Sequence, residues 1–304
     1  MSTRTAFASL LSLSLCITAL AQSEIMPEAG RIGLTIQVRG SSSLDAKLKR
    51  GDTTYDQIDV STGEVGIAQT IRFSQTDVLR VGIDSQGTSI EQERIPGHNI
   101  VPLPNELNSF GGSLSYTHIV NPKWIIISRV GASSHVTDEG LLSEGWAANA
   151  MGMAIYNRSQ TLTYIFGAAY LSNMGDLRLL PLFGLNWRPA PKWSIALGLP
   201  KTAVTFHLNK SLSLGLGFSG SGGAYYVKKD PLPGAAPRSL ADSWLQQRDV
   251  RLGFEANWKI NQTFRISGTV GQVLYRRFKY ADRDFELKSK NITPFFSFAG
   301  IASF

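Results

Sequence analysis

The chain of 304 residues holds a single cysteine, Cys16, and no apolar run after residue 21 that is long enough for a membrane helix. A polytopic helical membrane protein needs several runs of about 20 apolar residues, so that class is excluded. Charge is scarce too: Asp, Glu, Lys and Arg make up 17% of the chain, against about a quarter in an ordinary soluble domain. The four histidines, His98, His118, His135 and His207, show no H-x-x-x-H spacing, and thiolates are missing from the rest of the chain. Metal sites of the usual kinds therefore lack ligands. No G-x-S-x-G elbow is present, and no G-K-[ST] follows the glycine-rich run GFSGSGGAY (217–225), which reads as the start of a flexible loop. The expectation is a protein without catalytic residues, metal or cofactor. What is plentiful is apolar residues (43%), aromatics (10%) and 29 glycines, too much burial demand for disorder and a composition suited to strands and turns.

The N-terminus reads as a secretory signal. Arg4 precedes an uncharged apolar stretch, TAFASLLSLSLCIT (5–18), and Ala19-Leu20-Ala21 is a small-x-small cleavage site before Gln22. Leu15 before Cys16 argues against a lipidated cysteine. Residues 22–304 then form one domain without cysteine, entering an oxidising compartment with no disulfide to stabilise it.

Alternation at period two dominates that domain. Ile32, Leu34, Ile36 and Val38 alternate with small or polar residues, as do Val65, Ile67, Ile71 and Phe73. Leu162 to Tyr170, Trp193 to Leu199, Leu212 to Phe218, Val250 to Trp258 and Phe296 to Phe304 repeat the pattern. Only SLADSWLQQ (239–247) looks helical. Strands are expected near 64–74, 78–85, 110–120, 124–132, 146–156, 161–171, 178–188, 192–199, 202–209, 211–219, 247–258, 262–275 and 291–304. One more comes from 31–39 or 54–60, for fourteen, with twelve as the alternative. Single-chain bacterial barrels have even strand numbers.

Three features separate a membrane barrel from a soluble sandwich. Short turns at 121–123, 157–160, 189–192, 209–211 and 260–262 fall on one side. The longer links at 86–109, 133–145, 219–246 and 276–290 fall on the other, beside two short ones at 172–177 and 200–202. Trp124, Tyr156, Trp187, Trp193, Trp258, Phe264 and Phe304 gather near the short-turn side, as an interfacial aromatic girdle would. Parity sends Arg72, Arg129, Asn186, His207, Arg251, Glu255 and Arg265 inward as lumen candidates, since Arg facing lipid at mid-depth costs about 2–4 kcal/mol. With only Glu255 answering the arginines, an open pore should prefer anions. His98 and His135 read as solvated loop residues.

The motif order LPLFGLNWRPAPKWSIALGLPKTAVTFHLNKSLSLGLGF (180–218), with VPLPNELNSFGGSLSYTHIVNPKW (101–124) and LYRRFKY (274–280) before a Phe-terminated strand, resembles a domain-of-unknown-function family of bacterial outer-membrane barrels. The resemblance spans about residues 100–304, implies the fold and an outer-membrane location, and transfers no catalytic residue. The terminal FFSFAGIASF resembles the signal read by the barrel-assembly machinery, although Ala302 stands where an aromatic is usual. The expected reading is a transmembrane antiparallel up-and-down β-barrel in the outer membrane of a Gram-negative-type bacterium. Its expected partners are the bilayer and lipopolysaccharide. Nucleic acid is not among them, because 29 basic against 23 acidic residues after signal cleavage is a small, dispersed excess. Passive diffusion of small polar solutes is the leading activity, and a closed structural or adhesive barrel, with contacts on loops 219–246 and 276–290, is the alternative.

Overall fold

Alternating apolar and polar residues commit nearly the whole described chain to strands. The computed structural model describes residues 33–93, 96–137, 143–174, 178–198, 201–281 and 283–304; the signal-peptide reading falls outside them. The first strands are β1 (Gly33–Arg50), β2 (Thr53–Arg72), β3 (Asp77–Gln92), β4 (Glu106–Asn121) and β5 (Trp124–Thr137). Shorter ones follow: β6 (Trp146–Asn157), β7 (Leu162–Leu171), β8 (Leu179–Ala190), β9 (Trp193–Gly198) and β10 (Thr202–His207). Then come β11 (Leu212–Val227), β12 (Ser243–Lys259), β13 (Phe264–Tyr280), β14 (Phe285–Ser289) and β15 (Thr293–Ser303).

Consecutive strands pair antiparallel, and β1 pairs with β15 from Thr35↔Ser303 to Ser43↔Phe295, closing the sheet on itself. β14 and β15 both lie between β13 and β1, so they are two segments of one interrupted strand. The barrel has fourteen strand positions. Residues 54–60 do not form a separate strand; they continue 64–72 within β2. Asn291 bridges the interruption: its Oδ1 accepts from Lys47 N at 2.8 Å, and its Nδ2 donates to Asp45 O at 3.1 Å.

One rim carries tight turns, and the sequence shows why. In 121–123, 209–211 and 260–262 an asparagine side chain folds over its own turn. Asn209 Oδ1 accepts from Ser211 N and Leu212 N, and Asn121 and Asn261 do the same for the residues two and three further on. At the β2–β3 turn Asp77 accepts from the Ser74, Thr76 and Tyr116 hydroxyls and lies 2.8 Å from His118 Nδ1.

Above this rim an apolar band encircles the barrel. Val65, Ile83, Val130, Phe166, Phe183, Leu216, Phe254, Val270 and Phe298 all point outward and are exposed. The opposite parity carries Glu64, Arg80, Asp84 and Thr269 inward. Polar inside and apolar outside is the arrangement that lipid requires and water opposes.

The wall is uneven in height. β2 has 20 residues, whereas β9 and β10 have six each. At about 3.3 Å per residue these run roughly 66 and 20 Å, against an apolar belt about 25 Å tall. The tall strands thus continue past the band, and there the polarity inverts. Tyr55, Ile58, Val60 and Ile90 turn inward and are buried, while Ser61 and Glu91 face out. Asp45 and Gln57 adopt left-handed φ of 56° each at the β1–β2 register shift, which returns Leu48 and Tyr55 to the inner face. Asp45 N donates to Asp59 Oδ1 at 2.7 Å and holds the bulge.

Beyond the band β11 closes on β5 through a parallel bridge, Tyr226↔Val136, leaving the shorter β6–β10 out of the wall. The result is a narrower collar of β1–β5 and β11–β14. Gly222 permits the bend: its φ is +149°, and a Cβ there would lie 2.1 Å from Gln247 O. The glycine-rich run read as a loop start is therefore strand, and so is Ser243–Gln247 of the expected helix. The long links shorten accordingly. An apolar pattern that continues with both faces covered by neighbours looks like a helix or a loop when read alone.

The collar is filled rather than open. Leu48, Tyr55, Ile58, Leu107, Leu245, Phe278, Tyr280, Phe285 and Leu287 form one buried cluster with Val101, Leu103 and Leu240 from the two longest links. Tyr280 Oη donates to Pro102 O at 2.8 Å and pins the β3–β4 link into the mouth.

Candidate channel lumen

Within the band the inward side chains surround two cavities, of about 540 and 150 Å³. The larger extends from Arg265, Asn257 and Asn186 near the short-turn rim to Thr88 and Gln247 under the collar. The smaller lies beneath β11, among Arg80, Asp84, Arg129, His135 and Tyr225. They share Glu64, Gln86 and Gly222, so these three residues mark where the chambers meet.

Charge in this space is paired. Arg39 lies 3.7 Å from Glu64, Lys201 is ion-paired with Glu255, and Arg251 Nη2 donates to Asp249 at 3.0 Å. Arg129, only 8% exposed, donates to Ser113 Oγ at 3.0 Å. The expectation that Glu255 alone answers the arginines is corrected: Glu64, Asp84 and Asp249 also face inward. Glu64 shares the inner parity of Arg72 in β2, opposite Val65, Ile67 and Ile71, and Asp84 alternates with the outward Ile83 in β3, so alternation places both inward. The larger cavity is still lined by more cations, Arg39, Lys201, Arg251 and Arg265, than carboxylates, Glu64 and Glu255.

The other lumen candidates are dispersed. Asn186 lines the larger cavity. Arg72 has inward parity but ends β2 exposed at the short-turn rim, outside both cavities. His207 hydrogen-bonds Ser194 Oγ at 3.0 Å and also lies outside them. The seven girdle residues sit at strand ends beside the short turns, and all but Tyr156 are more than a third exposed. Trp124 packs on Tyr156 at 4.7 Å, and Phe264 meets Phe304 edge to face at 6.2 Å.

Two features escaped the sequence reading. The inner faces of β5–β8 carry Ile127, Met153, Ile155, Ile165, Leu180 and Leu182, buried against one another and against Ala224 of β11. These strands are apolar on both faces, so alternation could not announce a dry inner wall. His135 is the second. It is a half-buried strand residue, not a solvated loop one: Nε2 lies 2.7 Å from Ser133 Oγ, and its ring meets Tyr225 edge-on at 5.8 Å. It lies one residue beyond Ser134, the partner of the exposed Trp146, at the outer edge of the apolar band.

Tyr225 Oη accepts from Gln86 Nε2 at 3.0 Å, beside the residues that the two cavities share.

A closed antiparallel barrel with an outward apolar band and a polar lumen is the fold of the outer-membrane channels. The chain belongs to the family described as Domain of unknown function (DUF6268), which matches residues 74–299. Among solved structures it is similar to the COG4313 outer membrane channel from Pseudomonas putida F1, with a TM-score of 0.50 and 10% identity over 90% of this chain and 96% of that one. The TodX deltaS2S3 mutant monoaromatic hydrocarbon channel follows at a TM-score of 0.46 and 10% identity, covering 96% and 94%. Comparison with curated protein sequences gives no match.

Proposed function

We propose that this protein is an outer-membrane channel for passive diffusion of small polar solutes, with a weak preference for anions. The observation that carries the reading is the larger cavity: it runs through most of the apolar band and is lined by paired charges with cations in excess. Paired charge keeps water in the lumen, and the surplus of guanidinium and ammonium groups concentrates small anions. No catalytic group is part of this reading.

Reversal potentials in asymmetric KCl across planar bilayers test it. The unmodified protein should favour chloride modestly, and Arg39→Glu with Arg265→Glu should invert the preference. Cation preference in the unmodified protein, or no shift in the double variant, overturns the charge assignment. The filled collar favours a second reading, a closed barrel whose outer links make the contacts. A folded, inserted protein that never conducts establishes that one instead.

A further inference from the structure

Four cations stand side by side across the outer face of the collar. The strand register pairs Arg248 with Arg277, Arg277 with Lys288, and Lys288 with Lys49, a continuous row over β12, β13, β14 and β1. Their neighbours Asp249, Arg276, Leu287 and Leu48 are buried on the inner side, so the row lies on the outer one. Like charges directly opposite one another destabilise a sheet. Glu286 offsets part of this, at 2.7 Å from both Arg277 Nη2 and Lys288 Nζ. One carboxylate against four cations leaves the row strongly positive. In addition, the Nε atoms of Arg248 and Arg277 are buried and have no hydrogen-bond partner among the described residues.

The height of the row identifies what it meets. Leu44 and Ile292, both exposed, end the apolar band on β1 and at the β14–β15 junction, and the row begins four to five residues further out. At about 3.3 Å per residue, and allowing for strand tilt, this is headgroup level. Tyr275 shares the face of Arg277 two residues nearer the band, where an amphipathic ring suits the interface. The guanidinium fork binds phosphate oxygens in pairs, and lysines add point charge.

We infer that Arg277, Lys288 and Lys49, with the buried Arg248 (7% exposed) adding positive charge behind them, form a binding strip for the phosphates of a membrane lipid headgroup. The inference rests on the membrane-spanning reading but not on conduction, so a barrel that inserts without conducting leaves it intact.

Native mass spectrometry of the detergent-purified protein tests it, with bisphosphorylated lipid A, dephosphorylated lipid A and inorganic phosphate as probes. Bisphosphorylated lipid A should bind, with affinity falling as salt rises. Arg277→Gln with Lys288→Gln should weaken it at least tenfold. Lys49→Gln, at an exposed position, should weaken it about threefold without threatening the fold. Lys123→Gln with Arg158→Gln, on the opposite rim, should change nothing. Equal binding of the dephosphorylated lipid, or wild-type affinity in both row variants, overturns the strip. Inorganic phosphate binding as tightly as lipid A overturns the lipid assignment. A protein that fails to enter bilayers at all defeats the barrel reading instead.

Discussion

Asp249→Ala should destabilise the barrel by about 3–5 kcal/mol, the usual result of leaving a buried charge without its partner. Asp249 is fully buried and Arg276 is 1% exposed, directly beneath the apolar filling of the collar. Arg276 Nε donates to Oδ1 at 2.9 Å and Nη2 to Oδ2 at 2.8 Å, a fork-to-fork pair. Nη2 also reaches Ser43 Oγ at 2.8 Å, and Arg251 adds its bond to Oδ2. One carboxylate therefore joins β12, β13 and β1 at the level where the wall leaves the apolar band. Without it two guanidinium groups face each other in a site that excludes water. The pair itself is not the source of net stability, since desolvation offsets most of its attraction. Asp249→Leu with Arg276→Met should accordingly recover much of the loss. The check is the urea midpoint for unfolding from micelles, read by tryptophan fluorescence. A midpoint unchanged in the single variant, or a double variant worse than the single, refutes the argument.

How far the sequence carried the fold depends on which physical constraint each segment answers to. Where one face meets lipid and the other a polar lumen, as in β12 from Phe254 to Trp258, parity alone gives both strand and face. The asparagines of the short turns declare themselves because each turn is closed by its own side chain. The collar follows a different rule. Tyr55, Ile58 and Val60 are packed as in a soluble core, and two left-handed residues, Asp45 and Gln57, break the parity that leads to them. Residues 54–60 thus resembled a separate strand, and 219–227 and 243–246 resembled loop and helix. Site residues fared by the same logic. Arg129 and Glu255 lie in regular alternation and reach the cavities. The surroundings of His135 depend on β11 bending across to β5, a contact between strands six positions apart in order that no local pattern encodes.

The collar's apolar filling should be as costly to hollow out as the core of a water-soluble domain. Phe278→Ala is expected to destabilise by about 3–5 kcal/mol, because the removed ring leaves a cavity its neighbours cannot close. Phe278 has no exposed surface, and the cluster around it includes Tyr280, Phe285 and Leu287. Tyr280 and Phe285 meet edge to face at 5.8 Å, and the Arg50 guanidinium sits 4.4 Å above the Phe285 ring, so the surroundings are fixed by directional contacts as well as by packing. The loss should be local. Hydrogen exchange should rise in the outer halves of β1, β2, β13 and in β14, while amides within the apolar band, where lipid excludes water, keep their protection. Single-channel conductance should stay the same, because an apolar void of one ring remains dry and adds no path for ions. Conductance that rises in Phe278→Ala would show instead that the collar lies on the conducting path and that its filling is the barrier. Uniform loss of protection along β13 would show that collar and band unfold as one unit.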